Sequence, residues 1–294
     1  MMNLELPLTQ SEAFERTCER IGVAVTRVSD ADGTCLVQTR KLPVLGAFHL
    51  ISRGPIMQDP DVEEAFIRRI RRQFKGPLVV NATGRTKQSG GLKIAGGAEI
   101  ATIALMAPDK MRARLHQKWR NQLKKSEAAE LVVTDQPLDP LRHKWFLKAE
   151  AAQQKARKYK SYPTGFLLAY AAANKAQARL YTAAQNGQPV AGMLVLKHGL
   201  MATYQAGVTT PEGRNLCAHN LLLWQILCDL QKRQVTRLDL GRADLSPGLR
   251  RFKQGAGAEI EALGGSFLFH HWFAPKAGAK LSGSARTKTL SKPV

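Results

Sequence analysis

The chain has 294 residues, of which 44 are Lys or Arg and 23 are Asp or Glu, so its formal net charge is +21. With 44% hydrophobic and 23% charged residues, the composition is that of a globular protein and excludes wholesale disorder. No apolar run approaches the ~18–20 residues of a membrane span, and the N-terminus lacks a signal-peptide pattern, so we expect a cytoplasmic protein. The charge predicts a polyanionic partner: nucleic acid, a nucleotide-linked substrate, an acidic carrier protein or a lipid surface.

The first part of the chain alternates predicted strands and helices. In chain order we expect strands within 21–57, a helix from Asp59 to Lys75, a strand at 77–83, a basic loop at 84–97, a strand at 99–106 and a single helix from Pro108 to about 127. The last helix carries a dense run of cations and no acid between Lys110 and Ser126. Two of those cations, Lys118 and Arg120, are candidates for contact with a nucleic-acid or pyrophosphate backbone, although a charge run is also typical of a solvated face.

The second part repeats the alternation. It predicts a helical region at 139–180 broken at Pro163, a hairpin at Asn186-Gly187, an apolar helix at 216–231, a strand at 235–241, a loop with a short helix at 242–258 and a final strand at 261–273. The helix at 216–231 is apolar nearly all round and should therefore be buried. The sequence thus predicts an α/β (α+β) fold of two similar halves that meet near residues 125–150.

Three segments resemble a known family. Residues 51–57 (ISRGPIM) contain an RGP signature, and residues 101–127 are a strand followed by a basic helix. The block at 178–258 contains a hairpin, a long apolar helix, an LDLG strand and a Phe-Lys pair. Together they resemble the FemABX aminoacyltransferases, the interpeptide-bridge enzymes of peptidoglycan within the GNAT acyltransferase superfamily. The resemblance extends over about residues 20–270.

The resemblance implies two tandem GNAT-like domains with mixed sheets flanked by helices. We expect the first domain at 1–135, the second at 136–274 and a basic, disordered tail at 275–294.

The resemblance also implies that Phe252-Lys253 is the FK box of the family. Lys253 would then lie beside the activated acyl donor, where a fixed cation stabilises an oxyanion or an RNA phosphate. Arg250 and Arg251 are expected nearby, and Phe252 is expected to pack beneath a polar loop that carries the lysine. The alternative is a solvated basic loop that covers the last strand.

Further candidates lie at the ends of predicted strands. Arg53 follows an apolar strand at a turn, where a guanidinium can hold a phosphate or carboxylate or can fix the turn. Tyr204 matches a family tyrosine near the acceptor, although a half-buried strand tyrosine is the plainer interpretation. Asp239 and Arg242 end a central strand, where α/β sites tend to lie, and Asp239 could orient an amine or satisfy backbone amides.

The sequence implies no metal and no prosthetic cofactor. The four cysteines form no CxxC pair, and His270-His271 lacks a carboxylate or Cys at ligand spacing. Coenzyme A-binding GNAT proteins have a Q/R-x-x-G-x-G/A turn before the main helix, whereas this chain has TTPEGRNLCA at 209–218. That departure favours a donor held in another way, such as aminoacyl-tRNA.

These features predict acyl transfer from an aminoacyl-tRNA to an amine on an anionic acceptor, with a peptidoglycan precursor as one candidate. The first alternative keeps the fold and uses an acyl-CoA or an acyl carrier protein as donor. The second is a non-catalytic nucleic-acid-binding protein built on the same fold.

Overall fold

Two mixed β-sheets of seven strands each organise the protein, in a computed structural model that describes residues 5–42, 46–84, 91–159 and 161–270. Helices flank both sheets, which confirms the predicted fold class. The predicted tail at 275–294 and part of the predicted loop at 84–97 lie outside the described residues. Within the described ranges, no helix combines the length and apolarity needed to cross a bilayer.

The strands in chain order are β1 (Ala24–Ser29), β2 (Gly33–Leu42), β3 (Gly46–Ser52), β4 (Ile56–Met57), β5 (Leu78–Ala82), β6 (Leu92–Ala95), β7 (Glu99–Ala104), β8 (Val132–Pro137), β9 (Ala178–Gln185), β10 (Gln188–His198), β11 (Met201–Thr209), β12 (Arg237–Arg242), β13 (Glu259–Ala262) and β14 (Gly265–Phe269). The α-helices are α1 (Glu12–Arg20), α2 (Glu63–Gln73), α3 (Pro108–Ala113), α4 (Gln117–Glu127), α5 (Lys144–Arg157), α6 (Thr164–Ala173), α7 (Pro211–Asn215), α8 (Ala218–Lys232) and α9 (Pro247–Gly255).

The two sheets exchange strands. The first has the order β1-β2-β3-β5-β14-β6, with β4 paired to β2, and the second has the order β13-β7-β12-β11-β10-β9-β8. The pairs β3–β5 and β11–β12 are parallel, whereas the other pairs are antiparallel. The predicted strand at 261–273 is therefore wrong as a single element, because β13 ends in the second sheet and β14 belongs to the first.

The exchange of strands between the sheets affects where the boundary between two domains can be drawn. Strands β7 and β8 and helix α4 pack in the second half, although they begin before residue 136, and β14 lies in the first sheet. The domain boundaries at 135 and 274 stay a prediction.

Helix α8 forms the centre of the second half, as its apolar sequence predicts. Nine of its residues are buried, and they pack against the side chains of the second sheet. The hairpin at Asn186-Gly187 is also confirmed, since it joins β9 to β10. Burial of these apolar side chains stabilises the second half.

The helix predicted from Pro108 to about 127 is interrupted. His116 has an extended backbone between α3 and α4, and its amide donates a hydrogen bond to the carbonyl oxygen of Gly255 at 3.0 Å. Helix α9 therefore docks at the break, and this docking depends on a residue far away in sequence. Helix α1 and strand β8 were likewise not predicted.

Two chain segments cross side by side where the sheets meet. Residues 96–98 lead from β6 to β7, and residues 263–264 lead back from β13 to β14. The amide of Leu263 donates to the carbonyl oxygen of Ala98 at 2.9 Å. A Cβ atom at Gly97 would lie 1.7 Å from the carbonyl oxygen of Leu263, so the backbones approach too closely for a side chain.

We expect Gly97→Ala to lower the free energy of unfolding by more than about 2 kcal/mol, because the added methyl group collides with backbone rather than with a flexible side chain. Gly96→Ala is the matched control, since a Cβ atom there meets nothing within 4 Å. Urea unfolding of both variants measures the difference. Equal midpoints would show that the crossing is not tightly packed.

Candidate functional site

A cavity of about 140 Å³ lies where the parallel strands β11 and β12 separate. Their pairing is limited to Met201–Thr203 with Arg237–Asp239. Beyond these residues β11 stays paired with β10 and β12 stays paired with β7, so a gap opens between Tyr204 and Leu240. The lining comes from β10, β11, β12, α8 and α9: Met193, Tyr204, His219, Leu223, Leu240, Leu249, Phe252 and Lys253.

Helix α9 brings Lys253 to this cavity. The helix begins after Ser246, whose hydroxyl accepts a hydrogen bond from the Leu249 amide at 3.1 Å. Leu249, Phe252 and Lys253 then share one helical face, since they are spaced by three and four residues. The predicted polar loop is therefore wrong, and so is the alternative of a solvated basic loop: Lys253 is 4% exposed and lies on the inner face of a helix.

The pKa of Lys253 depends on its burial and on two nearby carboxylates. Burial lowers the pKa of Lys253 to about 8, and the carboxylates of Asp239 and Asp244 act in the opposite direction. The Nζ atom donates to the carbonyl oxygen of Arg242 at 2.6 Å. An ammonium group has three N–H donors, so two are without a partner among the described residues. At neutral pH Lys253 is thus a buried, mostly protonated donor beside the cavity.

A histidine that the sequence analysis did not single out also lines the cavity. His219 is in the first turn of α8, and its Nε2 lies 3.0 Å from the carbonyl oxygen of Val208. A carbonyl oxygen can only accept, so this contact assigns the proton to Nε2 and leaves Nδ1 as an acceptor. Burial lowers the pKa of His219 below its usual 6.5, so the ring is neutral at pH 7. The available signal was a lone polar ring on an apolar helix.

Phe252 and Tyr204 form part of the cavity wall. The Phe252 ring lies 6.1 Å from the ring of Trp119 on α4, which packs the helix against the core of the second half. Burial raises the pKa of the Tyr204 hydroxyl above its usual value, so the group stays neutral and can donate. The structure therefore places Lys253, Phe252 and Tyr204 around the same cavity.

Arg53 and Asp239 bind each other. Arg53 follows β3 with a left-handed backbone (φ 53°), and its Nη1 donates to Oδ2 of Asp239. Asp239 is 1% exposed, and its Oδ1 accepts a hydrogen bond from the Gly241 amide at 2.7 Å. The ion pair joins the first sheet to the second next to the cavity. A direct role of either residue in substrate binding stays a prediction.

The other basic candidates do not line the cavity. Arg250 pairs with Glu99, and Arg242 pairs with Asp244 at 2.8 Å. Arg251 and Lys118 are exposed, and Arg120 donates to the carbonyl oxygen of Leu115 at 3.0 Å. Of the three cations expected to converge, Lys253 is the one that reaches the cavity.

The backbone amides before α8 are largely occupied. The Gly213 amide donates to the Thr210 hydroxyl at 3.0 Å, and the Leu216 and Cys217 amides donate to carbonyl oxygens of α7. These amides have no free N–H to offer a pyrophosphate. Among the described residues, no group of three or more His, Cys, Asp or Glu side chains could hold a metal ion.

Residues 109–254 match the family model described as an acetyltransferase (GNAT) domain. The chain is similar to the crystal structure of FemX, with a TM-score of 0.69 and 12% identity over 90% of this chain and 92% of that one. It is also similar to the C-terminal domain of a putative lysylphosphatidylglycerol synthetase from Agrobacterium fabrum (TM-score 0.58, 13% identity, 88% and 86% covered). A third similar structure is L-PGS from Bacillus licheniformis (TM-score 0.53, 13% identity, 89% and 91% covered). No curated protein matches the sequence.

These likenesses confirm the resemblance to FemABX-like GNAT proteins. The likeness to the solved structures is one of fold, because the identities are only 12–13%.

We expect Asp239→Asn to lower the free energy of unfolding by about 2–4 kcal/mol, because it leaves the Arg53 cation without its carboxylate in a largely buried position. Asp244→Asn is the control, since its ion pair with Arg242 is more exposed and should contribute less than about 1 kcal/mol. Chemical unfolding of Asp239→Asn, of Arg53→Gln and of the double variant Arg53→Gln/Asp239→Asn measures the coupling, with Asp244→Asn as the control. A coupling near zero would contradict a joint between the sheets.

Proposed function

Since residues 109–254 match the acetyltransferase (GNAT) family model and the fold is similar to that of FemX, we propose that this protein transfers an aminoacyl group from aminoacyl-tRNA to an amine acceptor. The observation that carries the proposal is the cavity at the gap between β11 and β12. One wall holds a protonated lysine, and another holds a neutral histidine. Acyl transfer to an amine is accelerated by a donor or cation that stabilises the oxyanion and by an acceptor for the amine proton.

The reaction balances with these two groups. The amine lone pair attacks the ester carbonyl carbon, and the carbonyl electron pair moves to oxygen, where the Lys253 ammonium stabilises it. Nδ1 of His219 accepts the proton that the attacking amine loses. Collapse of the tetrahedral intermediate re-forms the carbonyl and expels the ribose oxygen of the donor, which takes up that proton. No covalent enzyme intermediate is required, because the ester is already activated.

Two observations support an aminoacyl-tRNA donor. The net charge of +21 suits a long polyanion, and the exposed cations Lys118 and Arg251 lie on the helices that pack together beside the cavity. The amides of Gly213, Leu216 and Cys217 are already bonded within the chain, which disfavours coenzyme A. Arg120 serves by fixing its own helix start rather than by touching RNA.

The acceptor in this proposal is an amine on an anionic molecule of the peptidoglycan-precursor class. Arg242 and Arg250 lie near the cavity in ion pairs with exposed or half-exposed carboxylates, and an anionic substrate could replace these partners. Tyr204 would donate a hydrogen bond to the acceptor. Arg53 and Asp239 would position the loop at the end of β12.

An acyl-CoA or acyl-carrier-protein donor is the second candidate, favoured by the acetyltransferase description of the matching family model. The same cavity would then hold a thioester carbonyl, and the leaving group would be a thiol.

We expect Lys253→Met to reduce turnover on the order of 100-fold, because it removes the cation that faces the oxyanion. The variant should remain folded, because the Met side chain fills the space of the Lys253 alkyl chain. It also removes a buried ammonium group, which is unfavourable to bury. Lys232→Met, in the last turn of α8, is the control and should keep full turnover. Full turnover of Lys253→Met with its true donor would refute the assigned role.

The pH dependence of turnover distinguishes the role of His219 from that of Lys253. Turnover should rise with pH as His219 loses its proton, below its usual pKa of 6.5, and should fall as Lys253 loses its proton near pH 8. Lys253→Arg should move the fall to higher pH, because guanidinium stays protonated. His219→Gln should remove the rise. A rate that increases through pH 8 in the wild type would instead make Lys253 the base.

The donor is tested with a pool of labelled aminoacyl-tRNAs and, separately, with labelled acyl-CoAs. We expect transfer from the tRNA pool, loss of transfer after RNase treatment, and tRNA affinity that falls steeply between about 50 and 200 mM salt. Transfer from acyl-CoA alone would support the second candidate. RNA binding without any transfer would support a non-catalytic protein.

A further inference from the structure

A second and larger cavity, of about 560 Å³, lies in the first half of the protein. It is formed where α2 ends and β5 begins, at Leu78. Arg53 lies beyond the other end of these strands, because β3 and β5 are parallel and Ser52 pairs with Asn81. The length of β5 alone separates the two places by about 13 Å. The volume is typical of a small-molecule pocket.

Cations dominate the lining of this pocket. Arg68, Arg71, Arg72 and Lys75 all contribute, and no carboxylate is among its described lining residues. Arg68 bonds to Glu64, whereas Arg72 and Lys75 are exposed and form no ion pair within the described residues. The helix dipole accounts for a cation or two in the last turn of α2. It does not account for four around one concavity.

The floor of the pocket is fixed and partly aromatic. The Phe74 ring lies 5.0 Å from the ring of His49, which is 5% exposed. Both His49 nitrogens are bonded, to the Thr39 hydroxyl and to the carbonyl oxygen of Lys75, each at 3.0 Å. The guanidinium of Arg71 lies over the buried Phe269 ring, 5.3 Å from its centre. The half-buried Phe74 ring is therefore held beside the cations.

We propose that this pocket binds a nucleotide unit: a phosphate between Arg72, Lys75 and Arg71, and a base against Phe74. Guanidinium groups bind phosphate oxygens through paired hydrogen bonds, and aromatic rings stack on bases without regard to sequence. A free nucleotide and a nucleotide of single-stranded RNA present this same chemistry. The pocket is separate from the transfer cavity, so binding there is independent of the proposed reaction.

The test compares two charge-matched double variants of the full chain. Arg72→Gln/Lys75→Gln removes two exposed cations that form no ion pair within the described residues, and Arg20→Gln/Lys232→Gln removes two cations at the ends of α1 and α8. Affinity is measured by calorimetry for ADP, a five-nucleotide single-stranded RNA and inorganic phosphate. We expect the pocket variant to weaken ADP or RNA binding about ten-fold or more, and the control less than about two-fold.

Phe74→Leu tests the aromatic contact. It should weaken the nucleotide probes but leave the affinity for inorganic phosphate unchanged. The tighter of ADP and RNA identifies the source of the nucleotide. The proposal is overturned if neither probe binds, if both double variants weaken binding equally, or if phosphate binds as well as ADP and Phe74→Leu changes nothing.

The reaction variant keeps the two proposals apart. Lys253→Met should bind ADP like the wild type, because its side chain lies in the other half of the protein. If Lys253→Met loses transfer but still binds ADP, the pocket proposal stands. If the wild type shows no pocket binding, the transfer proposal still stands.

Discussion

The ion pair between Arg53 and Asp239 is the constraint on which the site depends. Asp239 is the last residue of β12 that pairs with β11, so the point where the two strands separate is also the point where the first half is attached. Its second oxygen fixes the Gly241 amide, and with it the start of the segment that leads into α9. One buried carboxylate therefore controls the width of the gap, the path of the chain after it and the distance between the sheets.

The same carboxylate influences the chemistry at a distance. Burial lowers the pKa of Lys253, and the negative charges of Asp239 and Asp244 oppose that lowering. In the proposed reaction His219 must instead be uncharged, because only a neutral imidazole has a free nitrogen that can accept a proton. Lys253 has the carboxylates of Asp239 and Asp244 close by, whereas burial lowers the pKa of His219 and its contact with the Val208 carbonyl leaves Nδ1 as the acceptor. Two titratable groups thus differ in charge at one pH.

Local sequence signals were sufficient for the elements that depend on neighbours in the chain. The Asn-Gly turn predicted the β9–β10 hairpin, and continuous apolar sequence predicted the burial of α8. Signals failed where distant residues decide: Arg53 and Asp239 are 186 positions apart, and the break before α4 depends on Gly255. The Phe-Lys pair was found through resemblance, but the burial of Lys253 was not predicted, because a lysine in a run with Arg250 and Arg251 is normally exposed.

The position of β14 has a consequence for the order of folding during synthesis. This strand is near the C-terminal end of the described chain, yet it lies between β5 and β6, with a neighbour on each side. Until residues 265–269 leave the ribosome, β5 has an open edge and β6 has no partner among the described strands. The first sheet therefore lacks its strand between β5 and β6 until β14 has been synthesised. The first sheet is completed only when β14 is added, and an exposed strand edge must be tolerated until then.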